Sequence, residues 1–263
     1  MSYTLITGAS GGIGKEFAYF YAARKTNLIL VARSLDTLNE ISSDLVSRYG
    51  IEVKVFGYDL TQLENIDRVM QWIRENNVPV DTLINNAGAC AGGELALQEK
   101  EKVATILDLN IKALVYFCHQ VIPLFKENKK GRILNIASMA AYEPCPYYAL
   151  YFASKAFVLS FTESIRIECK PYHIGISAVC PGFVQTSMTQ NLPDMGMSLA
   201  KPQTIVRLGD KLLRKDRAVG VNGFGNNCLI LLIKIIPRSL LRLAMTILVK
   251  IKFDRKKKEN AAR

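Results

Sequence analysis

The chain has 263 residues, 49% of them hydrophobic, and a formal charge of +11. That length fits one large α/β domain or two small ones, with enough apolar side chain for a sizeable core. Residues 228–259 hold nine cations against two acids, a net +7, so the rest of the chain is nearly neutral. Only two histidines, His119 and His173, are present, and the six cysteines form no CxxC pair. A His-based triad, a metal site and a disulfide framework are therefore not expected. The opening run Tyr3-Thr4-Leu5-Ile6 is too short for a signal peptide, so a cytoplasmic protein is expected.

Short apolar runs rich in β-branched residues occur at 4–6, 28–32, 53–56, 82–84, 132–136, 174–179 and 218–221. Helical periodicity fills 13–24, 35–49, 63–75, 100–126, 147–170 and 202–214 between them. This alternation predicts an α/β chain, a single-domain Rossmann fold. Its doubly wound parallel sheet has about seven strands, with helices on both faces. Residues 1–225 are expected to form the nucleotide-binding and catalytic domain. Residues 226–263 are expected to form an amphipathic extension with a basic tail.

The first strand runs into Thr7-Gly8-Ala9-Ser10-Gly11-Gly12-Ile13-Gly14 and then a helix. Glycines let the backbone turn tightly and approach a pyrophosphate without a Cβ in the way. The free N–H groups at the helix start favour its charge. Gly8, Ser10, Gly11, Gly12, Ile13 and Gly14 are thus candidate cofactor residues, the alternative being a structural turn. After the second strand stands Arg33, where a carboxylate would bond the 2′-hydroxyl of NAD; the first acid, Asp36, falls in the next helix. Arg33 can pair with a 2′-phosphate, which favours NADP(H) over NAD(H); the alternative is a solvated arginine.

Tyr151 and Lys155 are four residues apart and share one helix face. An ammonium beside a phenol favours the phenolate and lowers its pKa, as a general acid/base near neutrality requires. Tyr147 and Tyr148 have no lysine four residues on and are left to packing or substrate contact. A hydroxyl at Ser138 is placed to stabilise charge developing on a carbonyl oxygen during hydride transfer.

Taken in order, these pieces resemble the short-chain dehydrogenase/reductase family over about residues 4 to 220. The loop from Thr7 to Gly14 is similar to the family's TGxxxGxG, and Asn85-Asn86-Ala87-Gly88 to its NNAG segment. Tyr151-Phe152-Ala153-Ser154-Lys155 is similar to YxxxK, with Ser138 thirteen residues upstream. The resemblance implies that Asp59 holds the adenine amino group and that Asn86, Ala87 and Gly88 support the ribose and adenine. It implies that Lys155 holds the nicotinamide ribose beside Tyr151, and that Asn110 anchors a water in the proton relay. Pro181, Gly182, Val184 and Thr186 would receive the nicotinamide carboxamide. A hydroxysteroid-dehydrogenase-like or ketoacyl-reductase-like member, a homodimer or homotetramer, is implied as well.

On the substrate side, residues 90–93, 139–148 and Phe183 are candidate lining. The Met-rich stretch from Met188 to Ala200 is a candidate flap or a plain surface loop. Such apolar lining suggests a lipophilic small-molecule substrate, a steroid or fatty-acyl ketone. In the tail, Pro237 interrupts an apolar run that is too short to span a membrane. Lys234, Arg238 and Arg242 fall on one stripe, and Arg255–Lys258 follow as a cluster. Peripheral contact of 228–258 with the inner face of a membrane is one expectation; packing on the body or on a second subunit is the other. Nucleic acid is not an expected partner, because stacking aromatics are nearly absent from the tail. Against a reductase stands the reading of an NADP(H)-binding sensor or scaffold that does not turn over.

Overall fold

The computed structural model describes residues 2–190 and 199–261, except the side chains at 190, 248 and 251–261. Seven strands form one parallel sheet: β1 (Tyr3–Thr7), β2 (Asn27–Ala32), β3 (Val53–Gly57), β4 (Val80–Asn85), β5 (Gly131–Ile136), β6 (Ile174–Cys180) and β7 (Val219–Val221). Their spatial order is β3-β2-β1-β4-β5-β6-β7. A parallel sheet buried on both faces asks for unbroken apolar strands, and every residue of β2, Asn-Leu-Ile-Leu-Val-Ala, is buried. The order reverses between β1 and β4, so a crevice opens beyond the carboxyl ends of those strands.

Helices α1 (Gly12–Ala22), α2 (Leu35–Tyr49) and α8 (Pro202–Arg214) cover one face of the sheet. There Phe17, Leu38, Leu45, Ile205 and Val206 pack on Ile6, Leu28 and Leu30. The other face carries α3 (Leu63–Glu75), α5 (Leu114–Glu127) and α6 (Ala149–Cys169), with Ile66, Phe117, Phe125 and Val158 against Leu5, Ile29 and Leu83. Burial of this kind stabilises by roughly 25 cal/mol per Å² of apolar surface.

The helix expected over 100–126 is broken. Between α4 (Lys100–Leu107) and α5 the segment Asp108–Ala113 is π-helical, a form that inserts an extra residue and often marks a functional site. A short α7 (Ser187–Gln190) precedes the stretch 191–198, so most of the proposed Met-rich flap lies outside the described residues. At Ile236 the backbone turns extended before Pro237, which separates α9 (Phe224–Ile235) from α10 (Arg238–Ala261). No helix among the described residues is long and apolar enough to cross a membrane.

Candidate active site

The glycine loop is shaped by two close approaches. Gly8 adopts φ +64°, a left-handed conformation that favours glycine. A Cβ on Gly14 would lie 2.2 Å from the carbonyl oxygen of Gly8 and 2.5 Å from Nδ2 of Asn86. Thr7 Oγ1 accepts from the N–H groups of Asn86 and Ala87, both at 3.0 Å. Asn86 Nδ2 donates to the carbonyls of Thr7 and Gly8. The NNAG segment and the glycine loop are thereby stitched together. Gly11 caps α1 without any side-chain bond, and no atom stands within 4 Å of where its Cβ would be. The first-turn N–H groups of α1 are left for an anion.

Beside this loop lies a cleft of about 750 Å³. Of the residues expected to hold a cofactor, only Gly14 does not line it; it is buried behind the loop. Arg33 is exposed at the rim with Ser34 and Tyr58, and Asp59 takes the N–H and hydroxyl of Thr61 on Oδ1. Ser138, Tyr151 and Lys155 line the other end, with Pro181, Gly182, Val184 and Thr186. Residues 90–93, 139–148 and Phe183, expected to line the substrate side, do not border this cleft. The first two segments close on each other instead. The N–H of Gly93 donates to the carbonyl of Tyr147 at 2.7 Å, and a Cβ on Gly92 would meet the Tyr148 ring at 2.6 Å. Burial pushes the thiols of Cys90 and Cys145 up to about 11 and about 12, so both stay protonated and unreactive near neutrality.

Ser138 ends the extended strand and caps the turn Met139–Tyr142, accepting from the N–H of Ala140 at 3.1 Å. Its hydroxyl donates to the carbonyl of Pro181 at 3.5 Å, and it lines the cleft together with Tyr151. Lys155 is buried and donates from Nζ to the carbonyl of Ile136 at 2.8 Å. Burial lowers its pKa from 10.5 to about 8. Tyr151 keeps part of its surface open, yet the protein packed around it raises the phenol to about 12. Desolvation is the largest cause, the Cys90 thiolate adds to it, and the nearby Ser138 hydroxyl opposes it. The expectation that Lys155 lowers the tyrosine is thus corrected. Lys155 Nζ sits 5.8 Å from the ring centroid, but with a pKa near 8 it has lost its proton before the phenol titrates and does not offset the burial.

Asn110 sits in the π-helical turn, buried and away from the cleft lining. Its Oδ1 accepts from the N–H of Ala89 at 2.7 Å, and Nδ2 donates to the Ala89 carbonyl and to Ser154 Oγ. Both amide donors are spent, so the side chain ties the end of the NNAG segment to α6 between Tyr151 and Lys155. Ser154 was not singled out by sequence reasoning, although it stands inside the YxxxK motif. Nor was Asn222, whose Oδ1 accepts from the N–H of Gly182 at 2.8 Å. No spacing rule connects it to that loop. Among the described residues no cluster of three or more His, Cys, Asp or Glu could hold a metal.

A family model described as short chain dehydrogenase matches residues 2–196. The chain is 34% identical over 187 residues to the NADP-dependent 3-hydroxy acid dehydrogenase of Schizosaccharomyces pombe, covering 70% of this chain and 72% of that protein. It is 31% identical over 233 residues to the very-long-chain 3-oxoacyl-CoA reductase of Anas platyrhynchos, covering 87% and 72%. Human 17-beta-hydroxysteroid dehydrogenase type 3 is 31% identical over 194 residues, 72% of this chain and 61% of that one. Among solved structures, a short-chain dehydrogenase from Sphingobium yanoikuyae in complex with NADPH matches with TM-score 0.79 at 27% identity. That match covers 90% of this chain and 96% of the other. The chain belongs to the short-chain dehydrogenase family, oxidoreductases that act on hydroxyl and keto groups.

Proposed function

We propose that the chain transfers a hydride between NADP(H) and the carbonyl or secondary alcohol of a lipophilic substrate, with Tyr151 as general acid/base. The observation that carries this reading is that Ser138, Tyr151 and Lys155, the last two one helical turn apart, line one end of a cleft bordered by the glycine loop. The residues fit a phosphorylated dinucleotide. Gly11 leaves open space where its Cβ would be, the start of α1 offers free N–H groups, and Arg33 at the rim is paired with no carboxylate among the described residues. The bound cofactor supplies or accepts the hydride at its nicotinamide.

The chain's own residues manage the proton. A phenol held near 12 is protonated at neutral pH, which is the form that donates to a developing alkoxide. Ser138 supplies a second hydrogen bond to the same oxygen. Lys155, charged below about 8, sits between Ile136 and the cleft with its remaining N–H donors available. Asn110 holds Ala89 and Ser154 and so acts as a positioning residue. The relatives named for 3-oxoacyl-CoA and hydroxysteroid chemistry support a lipophilic ketone.

A panel of hydrophobic ketones tests the reading. NADPH is consumed with at least one of them, and NADH serves worse. Arg33→Ala weakens NADPH by about tenfold or more while moving NADH by less than about twofold, because only the 2′-phosphate loses its charge partner. Tight NADPH binding without consumption across the panel would favour the sensor or scaffold reading instead.

A further inference from the structure

We propose that α9 and α10 dock the chain in plane on an anionic phospholipid surface, at an edge that adjoins the end of the cleft bordered by Ser138 and Gly182. On α9, Phe224, Cys228, Leu231, Leu232 and Ile235 are exposed and fall on a single helix face. Phe224 is 87% exposed and Ile235 79%. The opposite face is apolar too, and there Ile230 and Ile233 are buried. A surface helix ordinarily turns polar residues outward; this one is apolar on both sides. On α10 the pattern repeats, with Leu241 and Val249 buried while Leu240, Leu243 and Ile247 stand exposed. Exposed apolar faces of this kind mark interaction sites.

Charge chooses the occupant. Between Asp216 and Asp254 the sequence contains no acid. Lys234, Arg238, Arg242 and Lys250 are exposed beside the apolar faces. A second copy seated on this surface through a two-fold axis would set cations against cations. An anionic bilayer surface offers the complementary charge together with an apolar layer beneath it. Since no described helix can cross a membrane, the apolar faces fit the plane of the interface.

The position gives the surface a purpose. Helix α9 packs on the turn Met139–Tyr142 that follows Ser138, and Lys234 Nζ lies 5.6 Å from the centroid of the Tyr142 ring. A Cβ on Gly182 would meet Asn226 Nδ2 at 2.6 Å, so the first turn of α9 also abuts the loop that borders the cleft. A ketone dissolved in the bilayer would then reach the site from the docked edge, a consequence that rests on the reaction proposed above.

The full chain is sedimented with vesicles of phosphatidylcholine alone and of phosphatidylcholine with phosphatidylglycerol. The expected result is at least about tenfold more chain on the anionic vesicles. About 0.5 M NaCl should release it, since salt shortens the reach of surface charges to a few ångströms. The double variant Ile235→Glu/Leu243→Glu changes exposed side chains only. It should lose about tenfold or more of the bound fraction while keeping its unfolding temperature and its NADPH consumption with a water-soluble ketone. Absence of sedimentation, or equal sedimentation with both vesicles, overturns the proposal. So does a dimer that the double variant splits without any vesicle binding, because a second copy then covers the face. Failure of every ketone to consume NADPH defeats the reaction alone, as vesicle binding is read without turnover.

Discussion

At the glycine loop, Thr7 and Asn86 spend their hydrogen bonds on neighbouring backbone; at the other end of the chain, Phe224, Leu231 and Ile235 turn apolar side chains to solvent. The first region is held by hydrogen bonds to backbone on both of its segments. The course of the loop is set by Gly8 and Gly14, which leave no room for a Cβ. The second region owes its position to a few contacts, the Tyr142 ring with Lys234 and the Gly182 loop with Asn222 and Asn226. Tightness in one place and exposed surface in the other fit the two tasks proposed here. One end must hold a cofactor in a fixed pose, and the other must meet a separate phase.

Substitution should expose that contrast. The largest effect is expected at Gly14, because its added Cβ would press on the Gly8 carbonyl, which is backbone and cannot swing aside. Gly14→Ala should weaken NADPH binding by about a hundredfold, or about 2.7 kcal/mol, in a fluorescence titration. Binding within about threefold of wild type would mean that the loop is softer than its contacts imply.

A smaller effect, with a definite dependence on pH, is expected at Lys155. Its folded pKa lies near 8, against 10.5 when free, so below about 8 the folded chain must carry a buried charge. Between about 8 and 10.5 the unfolded chain binds the proton and the folded chain does not, so this group's contribution to stability rises with pH there. The buried thiols of Cys90, Cys118 and Cys180 act in the opposite sense: their folded pKa values are raised, so their contribution is lost as pH rises above about 9. The difference between wild type and Lys155→Met removes the Cys118 contribution and leaves Lys155 together with its own coupling to Cys90 and Cys180. At pH 7 the variant should be more stable by on the order of 2 kcal/mol, with the gap closing by pH 10, as followed by urea unfolding. A gap that does not change with pH would contradict the assigned burial cost. The smallest effect is expected on the outward face of α9, where Ile235→Glu should change unfolding by less than about 0.5 kcal/mol.

Much of this was legible in the sequence, and for local reasons. The sheet, the glycine loop and the Tyr151/Lys155 pair are short motifs whose geometry follows from spacing along one strand or one helix. What spacing could not supply is direction. Residues 100–126 carry an unbroken helical period, yet the chain inserts a π-turn at Asp108–Ala113 so that Asn110 reaches both Ala89 and Ser154. The i, i+4 rule makes Tyr151 and Lys155 neighbours, but Nζ finds the Ile136 carbonyl on a different element. Asn222 acts on Gly182 across forty residues of chain, and no periodicity encodes that contact. In the tail, the break at Pro237 could be read directly, whereas the face of α9 that turns outward depends on what the body covers.

The central claim is that Tyr151, on the cleft with Ser138 and Lys155, delivers the proton while NADPH gives up its hydride. Tyr151→Phe removes only the hydroxyl, so the fold and the glycine loop stay intact. The most direct measurement is the single-turnover rate of this variant with NADPH and a reducible ketone, alongside NADPH affinity. The account predicts a fall in rate of about a thousandfold, within the usual 10²–10⁴ for losing a general acid, with affinity changed by less than about threefold. A variant that turns over at the wild-type rate would contradict it.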